Sequence, residues 1–116
     1  MDPELKDKVP AEAAPKAFPA ADVEAELRKE LLLVAETEAP VQGIALPGSP
    51  ALVMKTTIRL DSLTVVDVLC AVEPILGHKL RESVVQTGGY KSIDAAIEHL
   101  MPRIEKAWNK ANGIKE

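Results

Sequence analysis

Aromatic residues are scarce in this chain: Phe18, Tyr90 and Trp108 are the only three in 116 residues. A core without them has to be built from Ala, Val, Leu and Ile. Mixed with abundant Glu and Lys, that vocabulary favours helices over a sheet. The single cysteine, Cys70, excludes an internal disulfide, and the expected compartment is a reducing one, the cytoplasm. No apolar run reaches the roughly 18 residues of a membrane span. The start of the chain has neither the basic opening nor the apolar stretch of a secretory signal. Histidine is limited to His78 and His99, which are far apart and without Cys or acidic neighbours at ligand spacing, so no metal site is expected. Gly88-Gly89 is not followed by Lys and Ser or Thr, which excludes a phosphate-binding P-loop.

Positive charge is also in short supply, with 14 Lys and Arg against 18 Asp and Glu and a net charge of −4. Residues 1–40 hold ten acids and five bases, whereas residues 41–116 hold eight acids and nine bases. Neither half has a basic nucleic-acid footprint. What is present is a 47% hydrophobic chain with mean hydropathy +0.01, long enough for one domain with a modest core.

Residues 1–19 place Pro3, Pro10, Pro15 and Pro19 among Ala, Lys and acids, and read as a disordered Pro/Ala-rich tail. Residues 20–112 read as the helical domain and 113–116 as a short C-terminal tail. A first helix is expected from Asp22, a candidate N-cap, with Val23, Leu27, Leu31 and Val34 on one face and Leu32 and Leu33 widening it. Pro40 is expected to stop it at or before Glu38. A long connection follows, from about Thr37 to Leu60. It is marked by the turn Pro47-Gly48-Ser49-Pro50, and its apolar residues suit a segment lying over the helices. A short strand within 51–59 has no partner nearby and is not favoured. A second helix is expected from Ser62 to Leu76, with Val65, Leu69, Val72 and Leu76 as its stripe and Gly77 as its terminator. Pro74 should bend or fray its last turn. Residues 78–90 have room for a turn or two of helix. The last helix starts at the N-cap Ser92 and continues through Ile93, Ile97, Leu100, Ile104 and Trp108 to about Asn112. Pro102 either kinks it or divides it.

Within this pattern, Asp61-Ser62-Leu63 opens the second helix after a long first loop. Without gaps, the stretch Asp61 to Leu76 resembles the second helix of the acyl carrier proteins. Asp67, Glu73, Ala71 and Leu76 fall on positions that are usually acidic, acidic, Ala and apolar. The closing run Ser92 to Leu100 resembles that family's fourth helix, and the likeness covers about residues 21–108. The resemblance implies a small all-α, four-helix acyl-carrier-like bundle with a long loop between its first two helices. It implies that Ser62 takes 4′-phosphopantetheine from coenzyme A through a phosphopantetheinyl transferase and then carries acyl groups as thioesters. Asp61, Leu63, Val66, Asp67 and Glu73 match positions that usually face partner enzymes: acyl-loading, condensing or acyltransferase enzymes of lipid or fatty-acid biosynthesis. A carrier presents substrates and is not itself a catalyst, and a monomer is expected.

The chain departs from the family pattern in several places. Ile58-Arg59-Leu60 stands where many members have a glycine. The 41–116 portion is about neutral where most members are strongly acidic. Gly88-Gly89 adds two residues, and the last helix extends past the usual stop. These features suit a specialised member serving a dedicated lipid or secondary-metabolite pathway. Read from its residue type alone, Ser62 is an N-cap, with Asp61 the alternative cap. In that case the chain is an unmodified helical adaptor for protein–protein interaction. A hydrolase with Ser62 as nucleophile lacks a recognisable histidine and acid partner set. Cys70 is expected to be a small core side chain and Trp108 a packing anchor.

Overall fold

The computed structural model describes residues 17–113. Residues 1–16 and 114–116, most of the expected N-terminal tail and the last three residues, lie outside the described part. Four α-helices follow one another: α1 (Ala20–Val41), α2 (Pro50–Lys55), α3 (Ser62–Leu76) and α4 (Ile93–Ala111), with a 3-10 turn at Glu82–Val84. Among the described residues there is no strand beyond one isolated antiparallel bridge, Leu60 with Tyr90. The all-α class expected from composition is therefore present. The count of four is reached differently, because the 78–90 segment forms only the 3-10 turn and the long connection contains a helix.

α1 packs against both α3 and α4. Its buried stripe, Val23, Leu27, Leu31, Ala35 and Ala39, recurs at helical spacing. Asp22 lies in the first turn and the cap position falls to Pro19, which offers no side-chain bond. Leu33 points outward and is 51% exposed, so only Leu32 of that pair adds to the packed face. Pro40 does not end the helix before Glu38, as expected, but sits inside its last turn. Proline removes one amide and crowds the carbonyl four residues back. Here both Pro40 and Glu36 face solvent, and only Val41 follows before the cap. The stop comes from Gly43, at φ 71°: its amide reaches the Pro40 carbonyl and the Ile44 amide reaches Ala39, closing the last turn.

Of the apolar residues between the expected end of the first helix and α3, Val53, Ile58 and Leu60 are buried as expected, whereas Val41 and Leu52 face solvent. Pro50 occupies the first position of α2, where its missing amide costs nothing, so the Pro-Gly-Ser-Pro turn becomes a helix start. α3 runs through Pro74 to Leu76 and ends on Gly77 at φ 84°. α4 is one helix across Pro102, and the Ser92 hydroxyl caps it by accepting the Ala95 amide at 3.1 Å. Pro102 and Glu98 are both exposed, so water can solvate the carbonyl that proline deprives of its partner. At the far end of α4, Trp108 is buried and its ring meets Phe18 at 6.0 Å between centroids. Packing thus begins at Phe18, inside the stretch assigned to the tail.

Candidate functional site

The Asp61-Ser62-Leu63 run lies where an extended segment turns into α3, and that segment is held on both edges. On one side the Leu60 amide donates to the Tyr90 carbonyl (2.9 Å) and the Tyr90 amide donates to the Leu60 carbonyl (2.8 Å). The Ile58 amide donates to the Lys91 carbonyl (2.8 Å). On the other side, the Gln42 side chain grips Arg59, with Nε2 donating to its carbonyl at 2.8 Å and Oε1 accepting its amide at 3.0 Å. Two neighbours can share one segment because successive backbone groups of an extended chain face opposite ways.

Tyr90 is itself fixed. Its hydroxyl accepts the Gln86 amide at 2.9 Å and meets His99 Nδ1 at 2.8 Å. Burial pushes the phenol above its ordinary pKa, so it stays protonated at neutral pH. Nothing local in the sequence pointed to Gln42 or Tyr90 as supports of this turn. The only available sign was the Gly88-Gly89 pair, which marks unusual backbone beside Tyr90.

Asp61, not Ser62, caps α3: its Oδ1 accepts the Thr64 amide at 2.9 Å. Ser62 is the first residue of the helix and is half-buried. Its hydroxyl takes no part in the cap and has no hydrogen-bond partner among the described residues. The Val65 amide bonds the Asp61 carbonyl at 3.1 Å, leaving the Ser62 and Leu63 amides at the positive end of the helix. The Thr64 amide chiefly, helped by the Thr64 hydroxyl, the Leu63 amide and the charge of Arg59, holds the Asp61 carboxyl below the usual carboxylate range.

That depression fixes a sign. A carboxylate with a lowered folded pKa stabilises the fold above its unfolded pKa, and the contribution disappears as pH falls through the folded value. Asp61→Ala is expected to lower stability by about 1 kcal/mol at pH 7. The gap in urea midpoint between the wild type and the variant should begin to narrow below about pH 4, the ordinary carboxylate range, and close as pH falls through the lowered folded pKa. A difference that stayed constant from pH 7 to pH 3 would contradict this role.

The remaining predicted residues divide. Leu63 is 76% exposed, Asp67 is exposed, and Val66 is half-buried against the core; all three are within the first turn and a half after Ser62. Glu73 lies at the other end of α3, where its Oε2 accepts the Leu80 amide at 2.8 Å and fastens the following loop. Cys70 is exposed rather than in the core, with Sγ 3.8 Å from the Val66 carbonyl. The inward stripe of α3 is Val65, Val68, Leu69, Val72 and Leu76, and position 70 falls outside it. Beside Thr64, a groove of about 220 Å³ opens against Leu33, Val34 and Thr37 of α1.

His99 is engaged with Tyr90, and His78 follows the C-terminal end of α3, about 20 Å along the helix from Ser62. Among the described residues no group of three or more His, Cys, Asp or Glu could hold a metal ion, and no helix is long and apolar enough to cross a membrane. In comparisons with known proteins, no family model, no curated protein and no solved structure matches the chain.

Proposed function

We propose that this chain is a carrier protein of the acyl carrier type, with Ser62 as the attachment point of a 4′-phosphopantetheine arm. One observation carries the reading: the residue at the head of α3 with chemistry to spare is Ser62, because Asp61 supplies the cap and the serine hydroxyl has no hydrogen-bond partner among the described residues. The likeness of Asp61 to Leu76 to the carrier family supplies the identity of the group.

The local chemistry fits a phosphodiester at this oxygen. A phosphate on Ser62 stands at the positive end of α3, next to amides without backbone acceptors, and Arg59 adds a cation close enough to lower the Asp61 pKa. The doubly held 58–60 segment keeps this corner rigid while a flexible arm moves. When attached, the arm supplies a thiol that holds acyl groups as thioesters. The protein positions it and offers a docking surface around Leu63, Val66 and Asp67 to a transferase and to acyl-processing enzymes. Tethering raises the effective concentration of the acyl group at a docked enzyme. Glu73 belongs less to that surface than its position in the sequence suggested, since its carboxylate is committed to Leu80.

Intact-mass measurement tests the reading. The full chain is incubated with coenzyme A and a broad-specificity phosphopantetheinyl transferase. A gain of one phosphopantetheine is expected on the wild type and none on Ser62→Ala. The hydroxyl makes no hydrogen bond among the described residues, so the substitution should leave the helical circular dichroism unchanged. Absence of a gain with several transferases overturns the carrier reading and leaves an unmodified helical adaptor. A gain that persists in Ser62→Ala puts the attachment elsewhere.

A further inference from the structure

A cavity lies away from Ser62, beyond the opposite end of α3. It is an open cleft of about 620 Å³ between the loop that follows α3 and the second half of α4. Its walls hold five cations: Lys79 and Arg81 from the loop, and Arg103, Lys106 and Lys110 from the helix. Among the described residues no acid lines it, although the chain as a whole carries a net charge of −4. Glu82 and Glu105, the acids nearest in sequence, are both outside the lining. Half of the ten Lys and Arg among the described residues are gathered here, so the remaining described surface is markedly acidic. Such a segregation costs self-repulsion within the patch and marks it as a field for a negative partner.

The cleft is also built rather than incidental. The Arg103 guanidinium donates Nε to the Val84 carbonyl at 3.0 Å and Nη2 to the Ser83 carbonyl at 2.7 Å. These bonds tie the 3-10 turn to α4 and hold one cation in place, so that less side-chain entropy is lost when an anion meets it. Lys106 and Lys110 stand one turn apart on the exposed side of α4, about 6 Å along its axis. Between the charges, Val84, Ala107 and Ala111 provide small apolar patches.

We propose that this cleft is the docking site for an acidic peptide segment of a partner protein, separate from the Ser62 corner and independent of whether Ser62 is modified. A peptide with spaced carboxylates and small apolar side chains matches both the cations and the apolar floor. A lone phosphate fills only a fraction of the volume. An extended polyanion such as duplex DNA, or an anionic membrane, meets the acidic remainder of the surface as soon as it extends past the cleft. With the cleft about 20 Å from Ser62 along α3, a partner can hold this end while the other end stays open.

The test uses the full chain, ¹⁵N-labelled, and a synthetic peptide of twelve residues alternating Glu with Ala and Val. Amide shifts should concentrate in residues 78–84 and 103–111, with affinity falling as salt rises. The double variant Lys79→Glu/Lys106→Glu, one change on each wall and both at exposed positions, should bind at least tenfold more weakly with unchanged helical circular dichroism. Should it misfold, Lys106→Gln alone should weaken binding severalfold. Four results overturn the proposal. They are no shifts at millimolar peptide, equal binding by the charge-altered variants, inorganic phosphate giving the same shifts at the same concentration, and tighter binding of duplex DNA or phosphatidylglycerol vesicles than of the peptide.

Discussion

Gly89→Ala is expected to destabilise the protein by about 3 kcal/mol or more, enough to lower the melting temperature by about 15 °C in a domain of this size. Two effects coincide at this position. Gly89 sits at φ 82°, a conformation that L side chains rarely adopt. A Cβ built there also falls 2.0 Å from the Leu60 carbonyl oxygen and 2.9 Å from both the Leu60 carbonyl carbon and Asp61 Cα. All three are backbone atoms, so no side chain can swing away. Relief requires 89–91 to part from 58–61, which breaks the paired Leu60 and Tyr90 hydrogen bonds and disturbs the turn into α3.

Gly88→Ala is the matched control. Its φ of 88° is equally unusual, but nothing lies within 4 Å of the added Cβ, so about 1 to 2 kcal/mol of backbone strain is all that is expected. Urea unfolding of both variants separates close approach from strain. Equal losses in the two would mean that Gly89 does not hold the Ser62 corner through contact. The loosened corner in Gly89→Ala should also be visible as amide shifts at Asp61 and Ser62.

The second large effect concerns the extension of α4. Trp108→Ala is expected to cost about 3–5 kcal/mol, the range for removing a large buried side chain. Trp108 is 1% exposed and packs on Phe18, joining the end of α4 to the residues before α1. Trp108→Phe should cost much less than Trp108→Ala, for a reason specific to this site. The indole Nε1 is buried without a hydrogen-bond partner among the described residues, and phenylalanine removes that donor while keeping most of the ring. Circular dichroism is the suitable probe, since Trp108 is the only tryptophan. If phenylalanine proved as damaging as alanine, the orphaned indole would not be a liability, and ring volume alone would account for the loss.

Much of this molecule is readable from local pattern. The stripe Val23-Leu27-Leu31, the stripe from Val65 to Leu76, and the run from Ile93 to Trp108 each repeat every three or four residues, and each is a helix with that face buried. Ser92 as a cap and Gly77 as a terminator follow from interactions within four residues of themselves. Asp61-Ser62-Leu63 at a helix head belongs to the same class of information. Pro40 was misleading because its effect depends on what surrounds it: proline stops a helix when the freed carbonyl is buried, and here that part of the turn faces water.

The sequence by itself therefore determined the helical class, three of the four helices and most of their buried faces, because these depend on backbone propensity and periodicity over a few residues. Only the tertiary structure decided how Ser62 is presented. It assigned the cap to Asp61, clamped Arg59 with Gln42, and brought Gly89 and Tyr90 against Leu60 from about thirty residues away. It turned Cys70 outward, committed Glu73 to Leu80, and gathered Lys79 and Arg81 with Arg103, Lys106 and Lys110 into one cleft. The Asp61 cap and the outward Cys70 are decided within α3, but the other contacts join residues farther apart in sequence, and which partner meets which is set by the packing of the helices, to which no short stretch of sequence is sensitive.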